Sequence, residues 1–277
     1  MMKKSLLFLL LFSCVFAQAQ IKHNKFATKI KHAQFNPAFQ FDATLIGEIQ
    51  DQSGYMMSTQ YDDGSGGVHP SVVKLDVDGN IVFDTIYEFV PNNALGGLQM
   101  IDAQTSLTHH VMLYESSSHG PVGESPPAPY VVKMDVNGNI NWQIGLQDDT
   151  LELHPHRIVH TQDGGYVVAG GMWDIALNRH KPAGFLIKLD GNGNILWDSL
   201  YRDTDTLSFE FNAIIEAPGG GLIVAGIAPQ YHNNTDPPLL LAKMDANGTV
   251  LWSKVQKLGG PFLPNYGPDE INIGMVG

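Results

Sequence analysis

The chain has 277 residues, of which 43% are hydrophobic, and a formal net charge of −12 at neutral pH. Its cations form no stripe apart from a short cluster at Lys22, Lys25, Lys29 and Lys31, so no nucleic-acid partner is expected, because phosphate recognition begins with clustered Lys and Arg. The acidic balance suits divalent ions, cationic or neutral ligands, or simply a solvated surface.

In chain order, Lys3 and Lys4, the apolar run Leu6 to Phe16 and Ala17-Gln18-Ala19 follow the order of a secretory signal cut after Ala19. A lipoprotein signal at Cys14 is the rival, but Phe12 and Ser13 suit it poorly. The apolar run is too short for a stable membrane span, and no later segment is long and apolar enough for one. Export to the cell surface, periplasm or medium is the expectation. Cleavage at Ala19 removes the only cysteine, so the mature chain has no disulfide and depends on a packed core.

KFATKIKHAQF (25–35) then reads as a lone strand ahead of a repeat. VVKLDVDGNIVFD (72–84), VVKMDVNGNINWQ (131–143), LIKLDGNGNILWD (186–198) and LAKMDANGTVLWS (241–253) are four versions of one hairpin. Their leading aspartates, Asp76, Asp135, Asp190 and Asp245, are 59, 55 and 55 residues apart. Asp-Gly or Asn-Gly supplies the positive φ that tight hairpins need. Phe83, Trp142, Trp197 and Trp252 recur at one position, as expected of large apolar side chains packed between neighbouring units. Upstream of each hairpin lie two more strand-like stretches: 44–50 with 52–60, 97–104 with 108–116, 156–162 with 163–171, and 212–218 with 218–227. Each unit therefore reads as four strands, a to d, without helical periodicity.

Such a repeat predicts an all-β fold, a β-propeller of four-stranded antiparallel blades. The expected domain spans 20–277, with repeats near 40–90, 91–147, 148–203 and 204–258. PDEINIGMVG (268–277) looks like the start of a further strand a. Two outcomes stay open: a closed ring of four blades, or an incomplete ring cut from a larger propeller.

The repeat resembles those of secreted Gram-negative propeller proteins with GGYIVAG and KLDxNGNxxW signatures, matched here by GGYVVAG (164–170) and KLDGNGNILW (188–197). Members of that group often end in a C-terminal secretion-sorting domain. The resemblance implies a propeller and an exported protein, and adds the possibility that the chain is a shortened form of a larger sorted surface protein. It implies no particular activity. Quinoprotein-type repeats and the sialidase Asp-box are similar, but their spacings differ from Asp190–Gly193–Trp197 and Gly138–Trp142.

In a propeller the a–b and c–d turns share one face, and the b–c and d–a connections share the other. The second set is long and irregular here, at 59–70, 114–129, 170–183 and 226–238, with one histidine in each: His69, His119, His180 and His232. Trp173, Tyr61 and Tyr231 add aromatic platforms for a sugar or a peptide. Variable loops on a rigid repeat are the usual place for binding. In LHPHRIVH (153–160), His154, His156 and His160 alternate, so an uninterrupted strand would put all three on one face. With Asp148 and Asp149 they are candidate ligands for a divalent metal, although a wet channel lining would explain them equally. The turn DVDGN (76–80) lacks the spacing of a calcium loop, so its Asp is expected to cap the turn instead.

Two functions are carried forward. The first is a non-catalytic propeller binding a glycan, peptide or cell-surface partner through its long-loop face. The second is a metal-dependent hydrolase or lyase on the same face. Nucleophilic catalysis has little support, since there is no Gly-x-Ser-x-Gly elbow and the mature chain has no cysteine.

Overall fold

The computed structural model describes residues 45–62, 68–87, 98–116, 127–147, 151–174, 183–201, 209–227 and 238–257. The leader, the strand expected at 25–35 and the one expected at 268–277 lie outside the described residues. Among those described there are sixteen strands and no helix. None of them, therefore, belongs to a helix long and apolar enough to cross a membrane.

The strands form four sheets, each antiparallel and in chain order. The first holds β1 (Leu45–Glu48), β2 (Gly54–Asp62), β3 (Val68–Asp76) and β4 (Ile81–Ile86). The second holds β5 (Leu98–Thr105), β6 (His109–Ser116), β7 (Ala128–Asp135) and β8 (Ile140–Gly145). The third holds β9 (Leu151–His160), β10 (Tyr166–Asp174), β11 (Ala183–Leu189) and β12 (Ile195–Tyr201). The fourth holds β13 (Glu210–Glu216), β14 (Leu222–Ile227), β15 (Pro238–Met244) and β16 (Val250–Lys257). This is the propeller arrangement, with β1, β5, β9 and β13 packing in succession as the inner strands.

The hairpin turn is built locally. Asp190 Oδ1 accepts from the backbone N–H groups of Asn192 and Asn194, and its Oδ2 from the Asn194 side-chain amide. Asp76 and Asp135 repeat all three bonds. Asp245 keeps the two backbone bonds, with Thr249 in place of the last Asn. Hydrogen bonds to the charged form hold the Asp76 and Asp190 carboxyls below the usual range, led in each case by the turn's last Asn. The aspartates thus cap turns, as the sequence predicts. Just beyond each turn the outer strand carries one extra residue, at Val82, Asn141, Leu196 and Leu251, where the register shifts.

Blade joins blade through these same turns. Tyr87 donates its hydroxyl to Gly138 O at 2.8 Å, Trp142 its indole N–H to Gly191 O at 3.0 Å, and Tyr201 its hydroxyl to Gly248 O at 2.7 Å. Lys74 and Lys133 add bonds to Val136 O and Gly191 O. The turn glycines have φ of 88° at Gly138, 86° at Gly193 and 81° at Gly248. A Cβ on Gly193 would sit 2.9 Å from the Trp142 ring, and one on Gly248 would sit 3.0 Å from Trp197. Glycine is therefore required twice over, for the turn and for the ring that covers it. Behind each latch lies a buried cluster. Met56, Val72, Met112 and Met134 fill the first seam; Val111, Val131, Tyr166 and Phe185 the second; Val167, Leu186, Phe211 and Val224 the third. Phe83, Trp142 and Trp197 pack between units as expected. Among the described residues Trp252 joins none of these clusters, and it is 40% exposed.

One polar bridge crosses the first seam. The buried His110 ring joins Ser58 of the first blade to Thr105 of its own, with Thr105 Oγ1 2.7 Å from Nδ1. Burial, with a smaller contribution from the charge of His109, pulls the His110 pKa down to about 4.

Two outcomes follow for stability. Gly164 has φ of 83° with nothing near its missing Cβ, so Gly164→Ala should cost only the backbone strain of about 1–2 kcal/mol. Gly193→Ala should cost about 1–3 kcal/mol more, because the ring must also move; denaturant melts of the two variants give the difference. For His110, a folded pKa below the unfolded value of 6.5 means that the unfolded chain binds more protons. Its contribution is present above about pH 6.5 and should be lost as pH falls towards 4, by on the order of 3 kcal/mol. Melts at a series of pH values should show His110→Gln with a shallower acid loss than the parent chain.

Candidate functional site

β6 and β10 end, and β9 and β13 begin, at the same edge of their blades, where the long connections leave and return. Trp173, near the end of β10, pairs with Glu152 near the start of β9. Its indole N–H donates to Glu210 Oε1 at 2.9 Å. Glu210 opens β13 and lies across Gly171, where a Cβ would come within 2.5 Å of its Cγ. Gly171 and Trp173 are two apart on β10, so one face of that strand offers first a gap and then a donor.

His154 sits beside this pair. Its ring is 5.6 Å from that of Trp173, at an interplanar angle of 60°. Nδ1 is 3.0 Å from Glu115 Oε1 at the end of β6, and Nε2 is 3.8 Å from Glu152 Oε2. Burial alone would pull the His154 pKa down. The hydrogen bond and charge of Glu115, with the charges of Glu152 and Glu210, outweigh it and push the pKa up. Three blades thus bring an imidazole, an indole and three carboxylates to one place on the loop face. Protonated His154 offsets one of the three negative charges, and the site remains an acceptor-rich, negative surface with one aromatic wall.

The three histidines of 153–160 do not converge. His156 is the extra residue of a bulge, since Arg157 pairs with Ala169 and Pro155 with Gly170. The bulge breaks the expected alternation. His156 turns to the fourth blade, with Nδ1 3.2 Å from Phe211 O and 3.1 Å from the Asn212 amide nitrogen. His160 lies at the opposite end of β9, six residues or roughly 20 Å from His154. Its ring centroid is 5.5 Å from that of His109 and 5.3 Å from that of Tyr166. Burial, then the charge of Lys133, lowers its pKa. Among the described residues no group of three or more His, Cys, Asp or Glu side chains has the arrangement of a metal site.

His69 lies in β3, paired with Tyr61 of β2 at the loop edge of the first blade. His119, His180, His232, Tyr231, Asp148 and Asp149 lie outside the described residues. Glu115 is not among the candidates read from the sequence. Its one visible signal is its place at the exit of β6 into one of the two longest connections. A groove of about 320 Å³ opens at the same edge, between the second and third blades, lined by Leu151, Leu153, Phe185 and Leu200 together with the polar Gln147, Asp198 and Ser199.

No family model and no curated protein matches the sequence. Solved structures do align with the fold. A neuraminidase-like protein of a little yellow-shouldered bat isolate is 11% identical over 78% of this chain and 59% of its own, with a TM-score of 0.44. An apocarotenoid oxygenase from Synechocystis is 11% identical over 77% and 49%, with a TM-score of 0.46. A xylan beta-1,4-xylosidase from Bacillus halodurans is 13% identical over 81% and 42%, with a TM-score of 0.41. The chain spans less than two thirds of the length of each of these three.

His154 should titrate above 6.5, and Glu115→Gln should move its midpoint down. Glu210→Gln should move it in the same direction but less. NMR titration of the imidazole resonances reads all three, with His160 titrating below 6.5 as the internal contrast.

Proposed function

We propose that this is an exported propeller that binds a partner through its long-loop face without transforming it, and that the partner is a peptide or surface segment bearing a basic side chain. The observation that carries this reading is the convergence of Glu115, Glu152 and Glu210 around His154 and Trp173. Carboxylates at close quarters favour a guanidinium or ammonium group. An indole face beside them favours the same cation by its quadrupole. The groove along Leu151, Leu153 and Phe185 offers an apolar lane for a neighbouring aliphatic residue. A glycan is the competing partner from the same face. It would use Trp173 as a stacking surface and need less of the negative charge. The export half of the proposal rests on residues 3–19 alone.

Titration of the full chain with a Lys- or Arg-containing peptide that includes Leu, followed through tryptophan emission, tests the reading. Saturable binding is expected, weakening as salt rises. Glu210→Gln should weaken it by about tenfold, the usual loss of one partner in a charge-assisted contact. An uncharged oligosaccharide giving the only saturable response, or a peptide affinity unmoved by Glu210→Gln, would overturn the choice of partner.

A further inference from the structure

We propose that the loop-face cluster takes an external guanidinium or ammonium group in exchange for the proton on His154, so that a basic partner is held at neutral and alkaline pH and released on acidification. This rests on the reading of the same face as a surface for a basic side chain, and adds how that surface is regulated.

His154 is placed as an ion in a cage. Nδ1 lies 3.0 Å from Glu115 Oε1, and Nε2 lies 3.8 Å from Glu152 Oε2. A carboxylate thus stands against each ring nitrogen, and only the protonated imidazole carries an N–H on both. In the neutral ring one nitrogen turns a lone pair towards a carboxylate. The ring centroid is also 5.6 Å from that of Trp173, inside the ~6 Å over which an aromatic ring attracts a cation. The imidazolium therefore stands where a guest cation would stand, beside the carboxylates and beside the indole.

Among the described residues, β6 brings Glu115 to His154, β9 brings Glu152 and β13 brings Glu210, while β10 brings the neutral indole of Trp173. Burial opposes the proton, and the Glu115 hydrogen bond with the three negative charges outweighs it. Protonated His154 offsets one of those charges. A guest that offsets the same charge weakens the hold on the proton, and the proton weakens the hold on the guest to the same degree. The His154 side chain keeps 29% of its surface open to solvent and that of Glu115 keeps 20%, so the innermost pair can be reached from outside.

Two measurements on the full chain test the exchange. The first follows the affinity of a histidine-free Lys- or Arg-containing peptide, whose own charge is constant over the range, between about pH 5.5 and pH 8.5. For the parent chain it should rise about tenfold, a typical coupling between two bound charges. For His154→Gln, which carries no proton to exchange, it should change by less than about twofold. The second needs no peptide and no variant that binds. Methylguanidinium, against sodium at equal ionic strength, should lower the His154 midpoint in an NMR titration of the parent chain, by about one pH unit at saturation. Loss of one imidazole resonance in His154→Gln assigns the signal. A peptide that fails to bind at any pH, with the midpoint still lowered by methylguanidinium, would overturn the peptide as partner and support the exchange. A peptide bound with equal affinity across the range, or a midpoint that methylguanidinium leaves where sodium does, would overturn the exchange.

Discussion

The fold depends on one contact, made three times among the described residues: an aromatic ring laid on the glycine of the next blade's hairpin turn. The turn needs glycine for its positive φ. The ring needs glycine because any Cβ would occupy its place, as the 2.9 Å approach at Gly193 shows. One residue type thus satisfies a local and a non-local demand together. The hydrogen bond from ring or phenol to the turn carbonyl adds direction to what would otherwise be apolar packing alone. The outer strand of every blade carries the same bulge just after the turn, where Val82, Asn141, Leu196 and Leu251 stand outside the pairing.

At the inner strands the blades are held by polar contacts of another kind. Asp102 accepts from the backbone N–H of Ile158, Gln104 from that of His160, and Glu216 from that of Gln162. Each is a side chain of one blade meeting the backbone of its neighbour, so inner-strand donors that a lone sheet would leave unpaired are satisfied across the seam. Burial raises the Asp102 carboxyl, while the Ile158 bond and the charge of Arg157 pull it back. The His110 bridge between Ser58 and Thr105 belongs to the same class, with a neutral imidazole in place of a carboxylate.

The loop-face cluster is a consequence of this scaffold. Seam packing brings the start of β13 against the end of β10, which places Glu210 over Gly171 and within reach of the Trp173 indole. The preceding seam brings the end of β6 to His154. No single blade contains the site. Its negative charge is held together by contacts made for stability elsewhere, and those carboxylates push the His154 pKa up against its burial.

The hairpins, their aspartate-capped turns and the count of four strands per unit were legible in the sequence, because each rests on interactions within a few residues: Asp190 reaches only as far as Asn194. The seam role of Phe83, Trp142 and Trp197 was legible too, because a large side chain recurring at one position has few other uses. Trp252 shares that position but lies exposed, since whether a ring is covered depends on a neighbouring blade and not on the strand that carries it. The histidines were legible only conditionally, for a related reason. Alternation in 153–160 puts three imidazoles on one face only if the strand is unbroken, and one extra residue at His156 sends them to three different neighbours. Only the tertiary structure could bring Glu115, Glu152 and Glu210 together, since they lie on three strands and no local pattern records which strand ends meet across a seam. Short-range turn chemistry sets the repeat; long-range packing and register decide what the repeats build between them.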